Sequence, residues 1–160
     1  MNQHEQHSHG KKKHNPYLAL LLSLAASFAA MYMIMYAMAD RWEHVYFNLS
    51  NVYMTGLMAC SMVPMMLLTM REMFNNQKAN VAAWVASVAG LALCWFLLRA
   101  EAGVGDRQFM RAMIPHHSAA IQMCHESSIS DPRVKKLCEA IVTSQEREIA
   151  EMKAQLAEHK

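Results

Sequence analysis

Two adjacent histidines, His116 and His117, stand among methionines in the C-terminal third of the chain. Met110 and Met113 precede them, and Met152 follows in a second amphipathic stretch. At about 100° per residue, Met113, His117, Ala120 and Cys124 share one narrow stripe of a helix, with Phe109 and Met110 at its sides and His116 near its edge. The facing stripe of the following helix is Cys138, Ile141, Gln145, Ile149 and Met152, with Glu148 at its edge. Folding the two helices back about Asp131 sets Cys124 against Cys138, His117 against Gln145, Met113 against Ile149 and Met110 against Met152. Thioether and imidazole are donors that suit copper(I) and silver(I). Met110, Met113, His116, His117 and Met152 are therefore the candidate metal ligands. Gln145 and Glu148 are harder donors, suited to fixing a histidine ring or balancing charge. The same residues have a plainer reading, since a methionine stripe at helical spacing also serves as adaptable packing and a core histidine need only be hydrogen-bonded.

Cys124 and Cys138 also leave two readings. An exported hairpin would favour a disulfide, which closes a loop of about 15 residues and stabilises it by ~3 kcal/mol in the chain-entropy model. The alternative is that both thiols bind metal. Other donors lie upstream. Met54, Met58, Met62, Met65, Met66, Met70 and Met73 fall within half the circumference of one apolar segment, and Met31, Met35 and Met38 share a face of another. They read either as packing between helices and lipid or as a thioether path for copper(I). His4, His7, His9 and His14 sit in a polar N-terminal stretch with Lys11, Lys12 and Lys13, where a solvated tail and weak metal binding are both open.

Composition narrows the function classes. The sixteen methionines are the anomaly in a chain of 160 residues with net charge +2. Residues 106–160 hold eight Lys/Arg and eight Asp/Glu, a balance that argues against a nucleic-acid partner. Four cysteines without a Cys-x-x-Cys pair argue against a zinc ribbon. Neither a phosphate-binding glycine loop nor a nucleophile elbow is present, so no enzymatic activity is expected.

These donors require an all-α framework in two parts. Residues 1–16 read as a disordered His/Lys-rich tail. Three apolar runs, about 17–39, 51–70 and 81–98, form a membrane domain over 17–99, because a helix needs about 20 apolar residues to cross a bilayer. Residues 103–160 form an antiparallel helical hairpin, with Asp106 capping its first helix. Asp131 and Pro132 start the second helix, and Pro115 interrupts the first. Lys11–Lys13, Arg71 and Lys78 flank one side of the membrane and, in the short loop, Arg41 alone the other, with Arg99, Arg107 and Arg111 after the third run narrowing the margin. That bias puts the N-terminus in the cytoplasm and the hairpin outside a bacterial inner membrane, in the periplasm. A cleaved signal peptide ending near Ala37–Ala39 is a competing reading, although the apolar run is long for one.

The stretch DRQFMRAMIPHHSAAIQMCHESSISDPRVKKLCEAIVTSQEREIAEMKAQL resembles the bacterial Domain of Unknown Function 305 family. Asp106, Phe109, Met113, His116, His117, Ala120, Met123, Gln145, Glu148, Ile149 and Met152 carry the match. MYMIMYAM and the methionine-rich segment after it look like the membrane portion of a three-span branch. The resemblance implies a ferritin-like helical bundle, usually exported, with some members binding copper or silver through Met and His. Copper-binding members often have more helices than one hairpin. Two copies of this chain, or more, are therefore expected to pair into a four-helix bundle. Di-iron chemistry is not expected, because no Glu-x-x-His motif occurs. The expected function is a membrane-anchored copper(I) or silver(I) binding or relay protein in metal tolerance. The alternative is a metal-free helical module that pairs with a partner membrane protein.

Overall fold

An asparagine begins each of the three apolar helices. Its side-chain oxygen accepts an otherwise unpaired amide of the first turn, and in this way Asn15 receives Tyr17 N–H, Asn48 receives Asn51 N–H and Asn76 receives Ala79 N–H. In the computed structural model, which describes residues 15–158, the helices are α1 (Pro16–Ile34), α2 (Leu49–Thr69), α3 (Gln77–Arg99), α4 (Asp106–Glu126) and α5 (Pro132–Glu158). A short 3-10 turn, Trp42–His44, lies between α1 and α2. The histidine tail expected over residues 1–16 lies outside the described residues except for Asn15 and Pro16, which start α1 as its cap and first helical residue.

Helices α1, α2 and α3 are long and apolar enough to cross a membrane. Their outward side chains are apolar too, among them Leu21, Leu22 and Met33 on α1 and Val85, Trp95 and Phe96 on α3. An apolar surface of this extent suits lipid better than water. The central helix is α2, which packs on both α1 and α3. Its inner face repeats every fourth residue as Thr55, Ala59, Val63 and Leu67, and Val63 and Leu67 form a core with Leu20 and Phe74. Met54, Met58 and Met65 lie exposed on the opposite side. Met66, in contrast, packs against that core, and Met62 is half-buried, so the methionines of α2 divide between the outer surface and the interior.

The first apolar run differs from the expected span of 17–39, for α1 ends at Ile34. Tyr36 is buried and its hydroxyl donates to the Tyr46 carbonyl at 2.7 Å. Asn48, fully buried, donates its amide to the same hydroxyl at 3.1 Å. Met35, at the C-cap with helical φ and ψ and its N–H on the Met31 carbonyl, still shares the face of Met31, whereas Tyr36–Met38 follow in a tighter turn. The other two runs, expected at 51–70 and 81–98, become helices beginning two and four residues earlier, because their polar first turns are capped.

Between α3 and α4 the chain reverses through Glu101 and Gly103, both at positive φ. Gly103, at φ +75°, is suited to that backbone by lacking a Cβ. The turn is tied to the start of α2 by Tyr53, whose hydroxyl donates to the Ala102 carbonyl at 2.6 Å. Gly105 stands at the cap position of α4, and Asp106 is inside its first turn, one place later than the sequence suggests. Asp131 does cap α5, accepting Arg133 N–H at 2.8 Å. Helices α4 and α5 form the antiparallel hairpin, with Ile114, Ile121 and Ile149 at its core. A disulfide joins Cys124 and Cys138 near its closed end, their Cα atoms 5.4 Å apart. Pro64 and Pro115 both lie inside helices that continue past them.

Candidate functional site

The buried line of α4 is Met110, Ile114, Ser118 and Ile121, not the stripe of Met113, His117, Ala120 and Cys124 that hydrophobic spacing selects. Helix α4 has three neighbours, α5, the 3-10 turn and α2. The most buried residues lie between these neighbours. Met113 and His117 consequently sit at the edge of the hairpin, half-buried and facing α5.

There they line a shallow groove of about 370 Å³ with Phe109 from α4 and Glu148, Glu151 and Met152 from α5. The simple fold about Asp131 holds at Cys124 and Cys138 but not for the partners in the groove. His117 lies beside Glu148 rather than Gln145, with Nδ1 to Oε2 at 3.2 Å, and Met113 shares the groove with Met152. Of the candidate ligands, the structure brings Met113, His117 and Met152 together. Met110 is buried away from the groove, and His116 is exposed with its ring 6.1 Å from that of His117. Of the two supporting residues, Glu148 lines the groove and Gln145 does not.

Glu148 is held in place. Its Oε1 accepts the Ser144 hydroxyl at 2.7 Å, leaving Oε2 toward the imidazole. That oxygen lies off the line of the ring nitrogen, so the buried His117 Nδ1 has a carboxylate neighbour but no aligned hydrogen bond. Burial lowers the His117 pKa; Glu148 works against the shift and His116 adds to it. A neutral ring at pH 7 keeps a lone pair available for a proton or a metal. The groove thus offers one imidazole, two thioethers and one oriented carboxylate. Among the described residues no three His, Cys, Asp or Glu side chains converge.

Sequence spacing gave no sign of a second polar cluster. Ser118, fully buried on α4, accepts the Asp40 amide at 2.8 Å and lies 2.9 Å from His44 Nδ1. Lys153 on α5 reaches Glu43 at 3.6 Å, and His125 approaches Asp40 at 3.7 Å. Burial lowers the His44 pKa, chiefly by desolvation and then by the Lys153 charge. A neutral His44 accepting the Ser118 proton fits both bonds. The complete burial of Ser118 removes it as a nucleophile, so the cluster serves as a clamp between the α1–α2 loop and the hairpin. A serine in an amphipathic helix and a histidine in a loop carry no such signal by themselves.

A family model described as Domain of unknown function (DUF305) matches residues 54–156, which takes in α2 and α3 as well as the hairpin. An uncharacterized protein of Acanthamoeba polyphaga mimivirus is 32% identical over 144 residues, covering 88% of this chain and 93% of that protein. No solved structure matches the chain. With more than half its length inside the family model, and a relative alike along nearly its whole length, this chain belongs to the DUF305 family.

Proposed function

We propose that the protein is a membrane-anchored binding or relay site for copper(I) or silver(I), serving metal tolerance, with His117, Met113 and Met152 as the donors. The observation that carries this reading is that His117, whose burial favours the neutral ring, lines one groove together with Met113 and Met152. Soft donors of this kind select soft monovalent ions, and Glu148 supplies the countercharge and orients the ring. Met110 and His116 stand outside the groove and are not assigned as ligands in the folded hairpin.

The flanking Lys/Arg bias supports a cytoplasmic N-terminus and an exported hairpin in a bacterial inner membrane. The Cys124–Cys138 disulfide supports the same side, since such bonds persist in oxidising compartments. Phe109, Met123, Val134 and Leu137 are exposed apolar groups on the hairpin. They support pairing of two copies into a four-helix bundle, and equally a metal-free module that docks on a partner membrane protein.

The test is a copper(I) titration of the full-length Cys60→Ser/Cys94→Ser chain against a competing chelator. One tightly held ion is expected, and His117→Ala should weaken it by more than about tenfold. Affinity unchanged by His117→Ala overturns the metal reading. Capture of a heteromeric crosslinked partner together with no copper uptake establishes the assembly reading in its place.

A further inference from the structure

Helices α2 and α3 carry the same short pattern, Gly56 with Cys60 and Gly90 with Cys94, each four residues apart. Their packing sets the two patterns head to tail, so that each cysteine lies over the other helix's glycine. A Cβ built on Gly56 would stand 2.8 Å from Cys94 Sγ, and one built on Gly90 would stand 2.7 Å from Cys60 Sγ. Contacts this short leave no room for a side chain at either glycine unless a sulfur is expelled from the interface. The two thiols are neighbours, half-buried and outside any disulfide. Close approach of membrane helices accounts for the glycines. It does not require a sulfur opposite both of them.

We propose that Cys60 and Cys94 form a second soft-metal site, which holds one copper(I) or silver(I) ion between two sulfurs inside the membrane-spanning region. The donor set selects the ion. No third His, Cys, Asp or Glu joins the pair among the described residues, so a tetrahedral divalent ion lacks ligands, whereas soft monovalent ions accept sulfur donors. Charge points the same way. The incoming cation displaces the proton of one thiol, a metal–sulfur bond replaces the sulfur–hydrogen bond, and the proton leaves to solvent. The second sulfur donates a lone pair and keeps its proton. The loaded site is then neutral, which an apolar interior strongly favours over a net charge. No electron transfer is involved, and the site does not depend on the groove of the hairpin.

The experiment uses the full-length His117→Ala chain in detergent, in which the groove is disabled. It is loaded with ascorbate-reduced copper(I) and dialysed against excess bathocuproine disulfonate. One copper ion per chain is expected to remain, and Cys60→Ser or Cys94→Ser should each retain none. Equal retention by the Cys60→Ser chain and its parent overturns the proposal. X-ray absorption at the copper edge, measured on the parent with both thiols intact, avoids any question of misfolding. Two sulfur neighbours are expected. A shell of nitrogen or oxygen, or an isolated Cys60–Cys94 disulfide with no copper, overturns it as well.

Discussion

His117 and His44 are two histidines whose burial holds off a proton, and their different neighbours give them different work. At His117 the carboxylate of Glu148 partly offsets the burial, and Ser144 keeps that carboxylate turned toward the ring. Glu148→Gln keeps the shape and removes the charge. It is expected to lower copper(I) affinity about tenfold while leaving helix content unchanged in circular dichroism; equal affinity would mean that Glu148 has no part in the site. At His44 the sign follows from linkage. The folded pKa lies below the ordinary value of 6.5, so the unfolded loop binds more protons as pH falls. Docking of the loop on α4 is fully favoured above 6.5 and weakens as pH drops below it. Lys153, Glu43, Arg41 and Asp40 all act on this ring. Protection of the Asp40 amide against hydrogen exchange should fall as pH drops below 6.5, and His44→Gln should flatten that dependence. Protection that is constant across this range in the wild type would remove His44 as the titrating group.

At the scale of elements, the hairpin has few fully buried side chains, and its closed end depends on a covalent link. Cys124 and Cys138 are 14 residues apart, and closing a loop of that size stabilises the folded hairpin by ~3 kcal/mol. Removing it by Cys124→Ser with Cys138→Ser should speed hydrogen exchange at Val142 and Ile149 by about a hundredfold, the ratio equivalent to that energy. Exchange unchanged in the double variant would show that the isoleucine core alone holds the helices. In the membrane part, α2 is the organising element, because its small and apolar inner face contacts both neighbours. Three of its methionines, Met54, Met58 and Met65, face outward, while Met66 packs against the core.

For the whole molecule, the Asp40–His44 loop and the Gly103 turn join the hairpin to the apolar helices on one side of the membrane. In the topology proposed above, that is the exported side. A cysteine introduced as Gln155→Cys should react with an impermeant maleimide in intact cells, and Asn75→Cys, in the loop between α2 and α3, should react only after lysis. The reverse pattern would invert the topology and place the disulfide in a reducing compartment.

The periodic features were legible in the linear chain. Three uncharged runs, the Asp131–Pro132 start of α5 and the level placement of Cys124 with Cys138 follow from transfer energy, capping and helical geometry, all of which act over a few residues. The placement of His117, Met113, Met152 and Glu148 on or beside facing stripes was legible too, although the partners expected were Gln145 for His117, Ile149 for Met113 and Met110 for Met152. Contacts made across the fold decided the rest. Tyr36 and Asn48 end α1 early. The loop beneath α4 rotates its buried line to Ile114 and Ser118 and leaves His116 outside. Two glycines admit the sulfurs of the facing helix. Each outcome depends on a second element arriving from elsewhere in the chain, and hydrophobic spacing within one helix contains no information about which neighbour will arrive.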